Sequence, residues 1–128
     1  MITRYSSGGP WEQAYGYSRV VRAGDLLVTA GCTATVDGVV APVGDAAGQA
    51  RTAFRIGLDA LAEAGAAVDN VIRTRMYVTD RAHADAVAAV HGEIFRDVRP
   101  ATAMIVVAGL LHEDHLVEVE LEAYVPPS

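Results

Sequence analysis

The sequence predicts an α+β protein with one mixed β-sheet and two helices packed on one face of it, in the order βββαβαββ. Residues 117–125 alternate apolar and polar side chains, which is typical of a strand with one buried face. Residues 101–108 are almost all apolar, which predicts a strand that is buried on both faces. Two further segments, 45–64 and 82–96, repeat apolar residues every three or four positions, as amphipathic helices do.

The first forty residues predict three short strands. Residues 20–23 and 26–30 are apolar runs separated by Gly24 and Asp25, which predicts a tight hairpin, and the pair Asp37-Gly38 predicts a type I′ turn. Segment 6–16 contains the Gly and Pro residues of an irregular connection, in which we expect Trp11 to anchor the chain against the body of the protein.

The middle of the chain predicts a strand between the two helices. Gly65 should end the first helix, and the pair Arg99-Pro100 should end the second. Residues 72–79 predict a strand with two distinct faces. Its expected faces carry Ile72, Thr74, Met76 and Val78 on one side and Arg73, Arg75, Tyr77 and Thr79 on the other.

Length and cysteine content predict one domain, residues 1–128, in the cytoplasm. A chain of 128 residues is too short for two ordinary domains. Its first residues lack the apolar run of a signal peptide, and no segment approaches the ~18 consecutive apolar residues of a membrane span. Cys32 is the only cysteine, so no intramolecular disulfide can form, which is typical of a reducing compartment.

The charge of the chain argues against nucleic acid as a partner. The formal net charge is −6, with a pI near 5.0, whereas proteins that bind phosphate backbones usually present a basic face. The seven Phe and Tyr residues are scattered along the chain, with no basic run beside them that would form a platform for RNA. We therefore expect neither a nucleic-acid partner nor a membrane partner.

One face of the predicted sheet has no cover within the chain. Two helices on one face leave the other open, and a strand that is apolar on both faces needs something to bury it. The pattern therefore predicts either an oligomer or a sheet closed on itself.

Four motifs resemble the RidA (YjgF, or L-PSP) family, in that family's order and at its spacing. They are GYSRVV at 16–21, LLVTAG at 26–31, VIRTRMYVTD at 71–80, and a C-terminal group made of PAT, VVAGL and LVEVELEA between 100 and 123. The resemblance covers nearly the whole chain. It implies a chorismate-mutase-like fold, a homotrimer with a small-molecule pocket between each pair of neighbouring subunits, and no cofactor or metal.

Several side chains are candidates for chemistry on the residues alone. Glu118, Glu120 and Glu122 share one strand face, which fits either a general acid or base or a solvated face. Cys32 follows a strand and is either a nucleophile or a small buried hydrophobic residue. Arg73 and Arg75 suit either anion recognition or an exposed edge.

The histidines give weaker signals. His112 and His115 have the spacing H-x-x-H, but no third ligand is predicted, so we expect no metal site. His91 lies on the apolar stripe of the second helix, where a hydrogen-bonded packing role is the simpler interpretation.

The resemblance also implies a set of pocket residues. Tyr17 matches the aromatic residue of the family's GYS segment, and Glu118 matches the Glu that is thought to position water. Residues 30–33 correspond to the pocket wall, which includes Cys32 and Thr33. Three positions depart from the family pattern: Ala30 replaces a Ser, Ala88 replaces an Asn, and Thr102 replaces the Arg that binds a substrate carboxylate.

The sequence therefore predicts a small-molecule enzyme that hydrolyses or tautomerises a reactive imine, enamine or related carbon–nitrogen compound. In this hypothesis Glu118 orients water or moves a proton, Tyr17 and Trp11 shape the pocket wall, and Cys32 or Thr102 contacts the substrate. The alternative is a non-catalytic trimer that binds a metabolite or docks on a partner enzyme. Because Thr102 lacks a guanidinium, efficient deamination of 2-aminoacrylate-derived imines is not expected.

Overall fold

The computed structural model describes residues 1–127, which form nine β-strands and three α-helices. The strands are β1 Ile2–Tyr5, β2 Val20–Ala23, β3 Leu26–Thr29, β4 Cys32–Thr33, β5 Thr35–Val36, β6 Val39–Val40, β7 Val71–Val78, β8 Ala101–Val106 and β9 Val117–Tyr124. The helices are α1 Pro10–Tyr15, α2 Ala46–Glu63 and α3 Ala84–Phe95.

Seven of the strands form one mixed sheet. The order across it is β1-β2-β3-β9-β7-β8, and β4 also pairs with β9. The pair β7–β8 is parallel, and the other pairs are antiparallel. Strands β5 and β6 form a separate hairpin. The predicted α+β class, with one main sheet and two main helices, is confirmed.

Strand β9 separates a helix-covered face from an open face. Val117, Val119, Leu121 and Ala123 are buried, while the glutamates between them are partly exposed. Helices α2 and α3 pack over the buried face, where Phe54 of α2 and Phe95 of α3 meet edge-to-face with ring centroids 5.5 Å apart. The hydrophobic core therefore lies entirely between these two helices and the sheet.

Local signals placed α2 and the second hairpin correctly. Asp45 precedes α2, and its side chain accepts a hydrogen bond of 2.9 Å from the Gly48 backbone N–H, as an N-cap does. Gly65 follows the helix with φ of 97°, a left-handed conformation that glycine adopts without strain. Asp37 and Gly38 both have positive φ, as a type I′ turn requires, so the predicted turn is confirmed.

The amino-terminal segment differs from the sequence-based expectation. Residues 2–5 form the edge strand β1, and the segment expected to be irregular contains the short helix α1. Pro10 opens this helix, and Gly16, in the left-handed region, closes it. Trp11 is 61% exposed and stacks on Tyr15 one turn later, so its predicted role as an anchor against the body of the protein is wrong for this chain.

One prediction about strand faces is wrong, and a second is not met within a single chain. An irregularity in the pairing of β7 with β9 falls between Val71 and Arg73, so Val71 is buried and Ile72 is exposed. Strand β8 is not buried on both faces within one chain, because it forms the edge of the sheet beyond β7 and most of its residues are exposed. This edge is apolar and has no neighbouring strand on its outer side within residues 1–127.

Two helix glycines, Gly57 on α2 and Gly92 on α3, differ in the space around them. We therefore expect an alanine at each position to have opposite effects on stability. A Cβ at Gly57 would lie 2.5 Å from Leu121 Cδ1, whereas a Cβ at Gly92 of α3 would meet nothing within 4 Å. Overpacking a core costs about 1–3 kcal/mol, and Ala gains about 1 kcal/mol over Gly in a helix. We expect Gly57→Ala to lower the free energy of unfolding and Gly92→Ala to raise it, as measured by denaturant titration. A stabilised Gly57→Ala protein would contradict the close packing.

Candidate functional site

The open face of the sheet carries a ladder of charged and polar side chains on β7 and β9. Register places Tyr77 opposite Glu118, Arg75 opposite Glu120 and Arg73 opposite Glu122. Two of the three side chains on β7 pair away from this register, while Arg73 pairs with the Glu122 opposite it. The Tyr77 hydroxyl donates to Glu120 rather than to Glu118, and both Arg73 and Arg75 pair with Glu122, at 3.3 and 3.8 Å.

Glu118 is left as the unpaired rung of this ladder. Within residues 1–127, no hydrogen-bond donor reaches its half-buried carboxyl. Burial raises the pKa of Glu118, the neighbouring Glu120 charge adds to this rise, and the Arg19 charge opposes it. A carboxyl that is partly desolvated, unpaired and shifted toward neutral pH is suited to proton transfer.

Gly31 makes room for the Glu118 carboxyl. This residue lies between β3 and β4, and a Cβ built on it would be 2.5 Å from Glu118 Oε2 and 2.9 Å from Cδ. No side chain larger than hydrogen fits there without displacing the carboxyl. Thr33 on β4 is the register partner of Glu118, so β4 borders the site directly.

Tyr17 and Ala30 line an open concavity of about 660 Å³ on the same side of the molecule. Its wall continues onto α1 and the edge strands, through Arg4, Glu12, Gln13, Gly16, Ser18, Val21, Val28 and Thr29. The concavity reaches Ala30, which directly precedes the Gly31 peptide at the Glu118 carboxyl, but Glu118 itself is not part of its wall. Of the predicted pocket residues, the structure places Tyr17 and Ala30 on the concavity and Thr33 beside Glu118.

A buried ion pair stands beside this group. Glu12 of α1 is only 5% exposed, accepts hydrogen bonds from the Ser7 backbone and hydroxyl, and lies 4.0 Å from Arg19 Nε. Burial acts to raise the pKa of Glu12, but the hydrogen bonds from Ser6 and Ser7 and the Arg19 charge outweigh it, and the net pKa is lowered. Arg19 Nη1 also donates to the Gly31 carbonyl at 2.7 Å.

Cys32 lies in the hydrophobic core, among the residues that face the helices. It is 1% exposed, and its sulfur is 3.4 Å from where a Cβ of Gly57 would stand on α2. Burial raises the pKa of Cys32 more strongly than the Arg19 charge lowers it, so the thiol form is favoured. This geometry agrees with the interpretation of Cys32 as a small buried hydrophobic residue.

The Thr102 hydroxyl forms two hydrogen bonds within the chain. It accepts from the Thr74 hydroxyl at 2.7 Å and donates to the Thr74 carbonyl at 3.2 Å. Thr74 Oγ1 is in turn 2.7 Å from His91 Nε2 on α3, and burial lowers the pKa of His91. Thr102, at the position where the resemblance implies an Arg, is therefore part of a local hydrogen-bond network.

The remaining predicted substrate-binding residues lie apart from Glu118. Arg73 and Arg75 pair with Glu122, near the opposite end of β9. Ala88 occupies an exposed position of α3, and Trp11 is exposed on α1. Within the chain, the structure does not bring these four residues to the Glu118 carboxyl.

The H-x-x-H segment packs as a structural loop. The rings of His112 and His115 are 5.3 Å apart, and His115 Nε2 lies 2.8 Å from the Thr35 hydroxyl. Over residues 1–127, no three His, Cys, Asp or Glu side chains come together as metal ligands would. In the same part of the chain, no helix has the length and apolar character needed to cross a bilayer.

Sequence reasoning does not identify Glu12, and it does not foresee how Arg19 and Gly31, the latter within the predicted wall 30–33, contribute to this site. Glu12 lies on α1 and Arg19 lies seven residues later, just before β2, and only the fold pairs them. A weak signal existed for α1, because Pro10 and Gly16 bracket it as helix boundaries do. No local pattern announces that the hydrogen of Gly31 leaves space for a carboxyl 87 positions later in the sequence.

The fold and the site together define a small α+β protein with an unpaired carboxylate beside an open concavity. The sequence model of the family described as Endoribonuclease L-PSP matches residues 11–125, which is most of the chain. The chain belongs to this family, which is also called the YjgF/YER057c/UK114 family, and the suspected RidA-type identity is confirmed.

Individual relatives agree with this assignment. An uncharacterized protein of Streptomyces coelicolor, SCO2049, is 41% identical over 123 residues, which is 96% of this chain and 92% of that protein. The crystal structure of Rv2704 from Mycobacterium tuberculosis, described as a member of the YjgF/YER057c/UK114 family, matches with a TM-score of 0.88 at 44% identity, over 98% of this chain and 100% of that one. The structure of PA3499 from Pseudomonas aeruginosa has a TM-score of 0.84 at 27% identity, over 98% and 93% of the two chains.

The raised pKa of Glu118 predicts how stability depends on pH. Between its ordinary pKa and its higher folded-state pKa, the folded protein binds more protons at this site than the unfolded chain, so the contribution of Glu118 to stability falls as pH rises through that window. Glu118→Gln should therefore raise the melting temperature at pH 7 to 8 and flatten this fall. The matched control is Glu122→Gln, which removes a carboxylate paired with arginines and should give no such gain. Thermal unfolding across pH is the measurement, and an unchanged or lower melting temperature in Glu118→Gln would contradict the burial of its charge.

Proposed function

We propose that this protein is a small-molecule enzyme that hydrolyses or tautomerises a reactive imine, enamine or related carbon–nitrogen compound. In this proposal the chain acts as a single domain in a homotrimer, and the reaction takes place in a pocket between neighbouring subunits. Glu118 orients the attacking water or moves a proton, and Tyr17 with Ala30 and Thr33 forms one wall. Cys32 has a packing role.

The observation that carries the proposal is the state of Glu118. Glu120 and Glu122 on the same strand face are held by Tyr77 and the two arginines, so they are occupied. Only Glu118 combines partial burial with a carboxyl that is unpaired over residues 1–127 and a raised pKa. Hydrolysis of an imine needs a group that accepts a proton from water and returns it to nitrogen. An unpaired carboxyl with a raised pKa can do both.

The surface of the subunit supports an assembly. The open sheet face and the apolar edge strand β8 are exposed, although strands of this composition are normally covered. A neighbouring subunit that covers this edge would also bring β8 and α3 of one chain toward the concavity of another. That arrangement would allow Thr102 and Ala88, which lie far from Glu118 within a chain, to border the Glu118 site of a neighbour.

The substrate in this proposal lacks an amino-acid carboxylate. Thr102 stands where the resemblance expects the carboxylate-binding Arg, and its hydroxyl is already used by Thr74. Arg73 and Arg75 are paired with Glu122, so they would have to break ion pairs to bind an anion. The charge balance of the site therefore favours a neutral or amine-bearing compound.

The word endoribonuclease in the family's description does not lead us to propose RNA as the substrate. The chain has a net charge of −6, and an RNA phosphate backbone is bound mainly through positive charge. The open face that carries the concavity also carries three glutamates. A cleavage site for RNA would have to work against this field.

Glu118→Gln tests the proposed role directly. The amide keeps the size of the side chain but cannot accept a proton, and general acid–base catalysis contributes typically 10²–10⁴-fold, so turnover should fall by about 10²-fold or more. Ammonia release should be measured over a panel of imines and enamines without carboxylates, with ligand binding followed in parallel by calorimetry. Glu122→Gln, on the same strand face, is the matched control and should retain activity.

Two outcomes would contradict the proposal. A wild-type protein that binds compounds of the panel but turns over none would support the alternative, a non-catalytic metabolite-binding or partner-docking trimer. Light scattering that shows a stable monomer at micromolar concentration would remove the intersubunit pocket.

We further expect slow hydrolysis of 2-iminopropionate, the family's reference substrate. A hydrogen bond to a charged group contributes roughly 1.5–3 kcal/mol, and each ~1.4 kcal/mol is a factor of ten, so the missing Arg should cost on the order of 10 to 150-fold. The measurement is release of keto acid with the imine generated in situ, run beside a relative that has the Arg. Thr102→Arg should recover part of the deficit. Equal rates for the wild-type protein and the relative would show that another guanidinium replaces the missing one.

A further inference from the structure

We propose that Arg19 is a positioning residue for Glu118: it fixes the Gly31 peptide against which the Glu118 carboxyl packs, and it supplies a positive charge that favours the ionised carboxylate. The inference deepens the proposed function, because its importance for turnover rests on the catalytic use of Glu118. Its structural content can be tested without any substrate.

The Gly31 peptide lies where regular sheet pairing is interrupted. Strand β3 pairs with β9 as far as Val28 and Glu122, and pairing resumes on β4 with Cys32 and Val119. Three residues of one strand thus face two of the other, which leaves Gly31 without a ladder partner. The contact that holds its carbonyl is the 2.7 Å hydrogen bond from Arg19 Nη1.

The position of this peptide determines where the Glu118 carboxyl can lie. Glu118 Oε2 occupies the space that a Cβ of Gly31 would take, at 2.5 Å. Any shift of the Gly31 backbone toward β9 closes this space, and any shift away opens it to water. Because the carboxyl fills the space beside the Gly31 Cα, the placement of the peptide that Arg19 holds affects where the carboxyl lies.

Arg19 is itself held on several sides. Its Nε lies 4.0 Å from the buried Glu12 carboxylate, and its guanidinium carbon is 5.9 Å from the ring centre of Tyr17. Glu12 is fixed in turn by the hydrogen bonds from Ser7. With 16% of its side chain exposed, Arg19 is far more confined than a surface arginine, so its position is set by the fold.

The electrostatic part follows from the groups around Glu118. Burial raises its pKa most, the neighbouring Glu120 raises it further, and Arg19 is the cation that lowers it. The other titratable group that faces it is Tyr77, opposite on β7, while the nearby Cys32 thiol on β4 points to the helix-covered face. Since Tyr77 binds Glu120 and the thiol form of Cys32 is favoured, neither supplies a positive charge.

The experiment is an NMR titration of the Glu118 side-chain carboxyl carbon in the intact protein, with Glu118→Gln used to assign the signal. In Arg19→Met, both the charge and the hydrogen bond to Gly31 are lost, so the pKa of Glu118 should rise above its wild-type value. Arg19→Lys keeps the charge and should give a smaller rise. Arg73→Met removes an arginine from the same sheet face but at Glu122, and it should leave the Glu118 titration unchanged.

A second variant covers the case in which Arg19→Met does not fold. Gly31→Ala leaves Arg19 intact and does not require a left-handed backbone, but its methyl group must displace the carboxyl, so the Glu118 pKa must differ from wild type. A folded Arg19→Met protein with an unchanged Glu118 pKa, or an unchanged pKa in Gly31→Ala, would overturn the proposal.

The activity readout separates this inference from the proposed function. If Glu118 catalyses the reaction, the acid limb of the pH–rate profile should move upward in the same order as the NMR values, with Lys between Arg and Met. If Glu118→Gln retains turnover while the NMR shifts appear as expected, the proposed catalytic role fails and the positioning role of Arg19 stands. If turnover depends on Glu118 but the Arg19 variants show no shift of the Glu118 pKa, the catalytic role stands and the positioning role of Arg19 fails.

Discussion

Strand β9 pairs with β3, β4 and β7, and its period-two alternation fixes both the core and the site. Val117 and Val119 are buried under the helices, so Glu118 between them must face the open side. A slip of one residue would put the glutamates into the core and the valines into water, which costs far more than any local rearrangement. The register of Glu118 is therefore set by hydrophobic burial rather than by the polar contacts around it.

The same geometry explains why one carboxylate of the ladder has no partner. Tyr77 lies opposite Glu118 but reaches diagonally to Glu120, and the two arginines converge on Glu122. Diagonal neighbours across an antiparallel pair are within reach of long side chains. Tyr77 and Arg75 are displaced in one direction along the strand, while Arg73 keeps its register partner Glu122, so the vacancy falls at the end of the ladder that borders β4. This end is also where the break between β3 and β4 leaves room for a carboxyl beside Gly31.

Sequence reasoning succeeded where the determining signal was local. Asp45 and Gly65 bracket α2, Asp37-Gly38 makes the predicted turn, and the alternation of β9 places its faces. The exposed Ile72 shows the limit, because a pairing irregularity reverses the face of one residue and leaves no trace in a period-two pattern. The candidate site shows this limit of sequence reasoning more strongly. The motif identifies Glu118. The position and the pKa of its carboxyl, however, depend on Gly31 and Arg19, whose contacts exist only once distant strands have paired.

Strand β8 illustrates a different limit, since its apolar composition is visible in the sequence but its place at the sheet edge is not. Thr102 on this edge forms hydrogen bonds to Thr74, which bonds to His91, so its hydroxyl is satisfied within the chain. Glu118 lies on another strand, with no shared contact. In the proposed function, water activation and substrate recognition therefore depend on separate elements, the central strand β9 and the edge strand β8. A substitution at the edge can change which compounds are bound while the burial that sets the chemistry of Glu118 stays as it is.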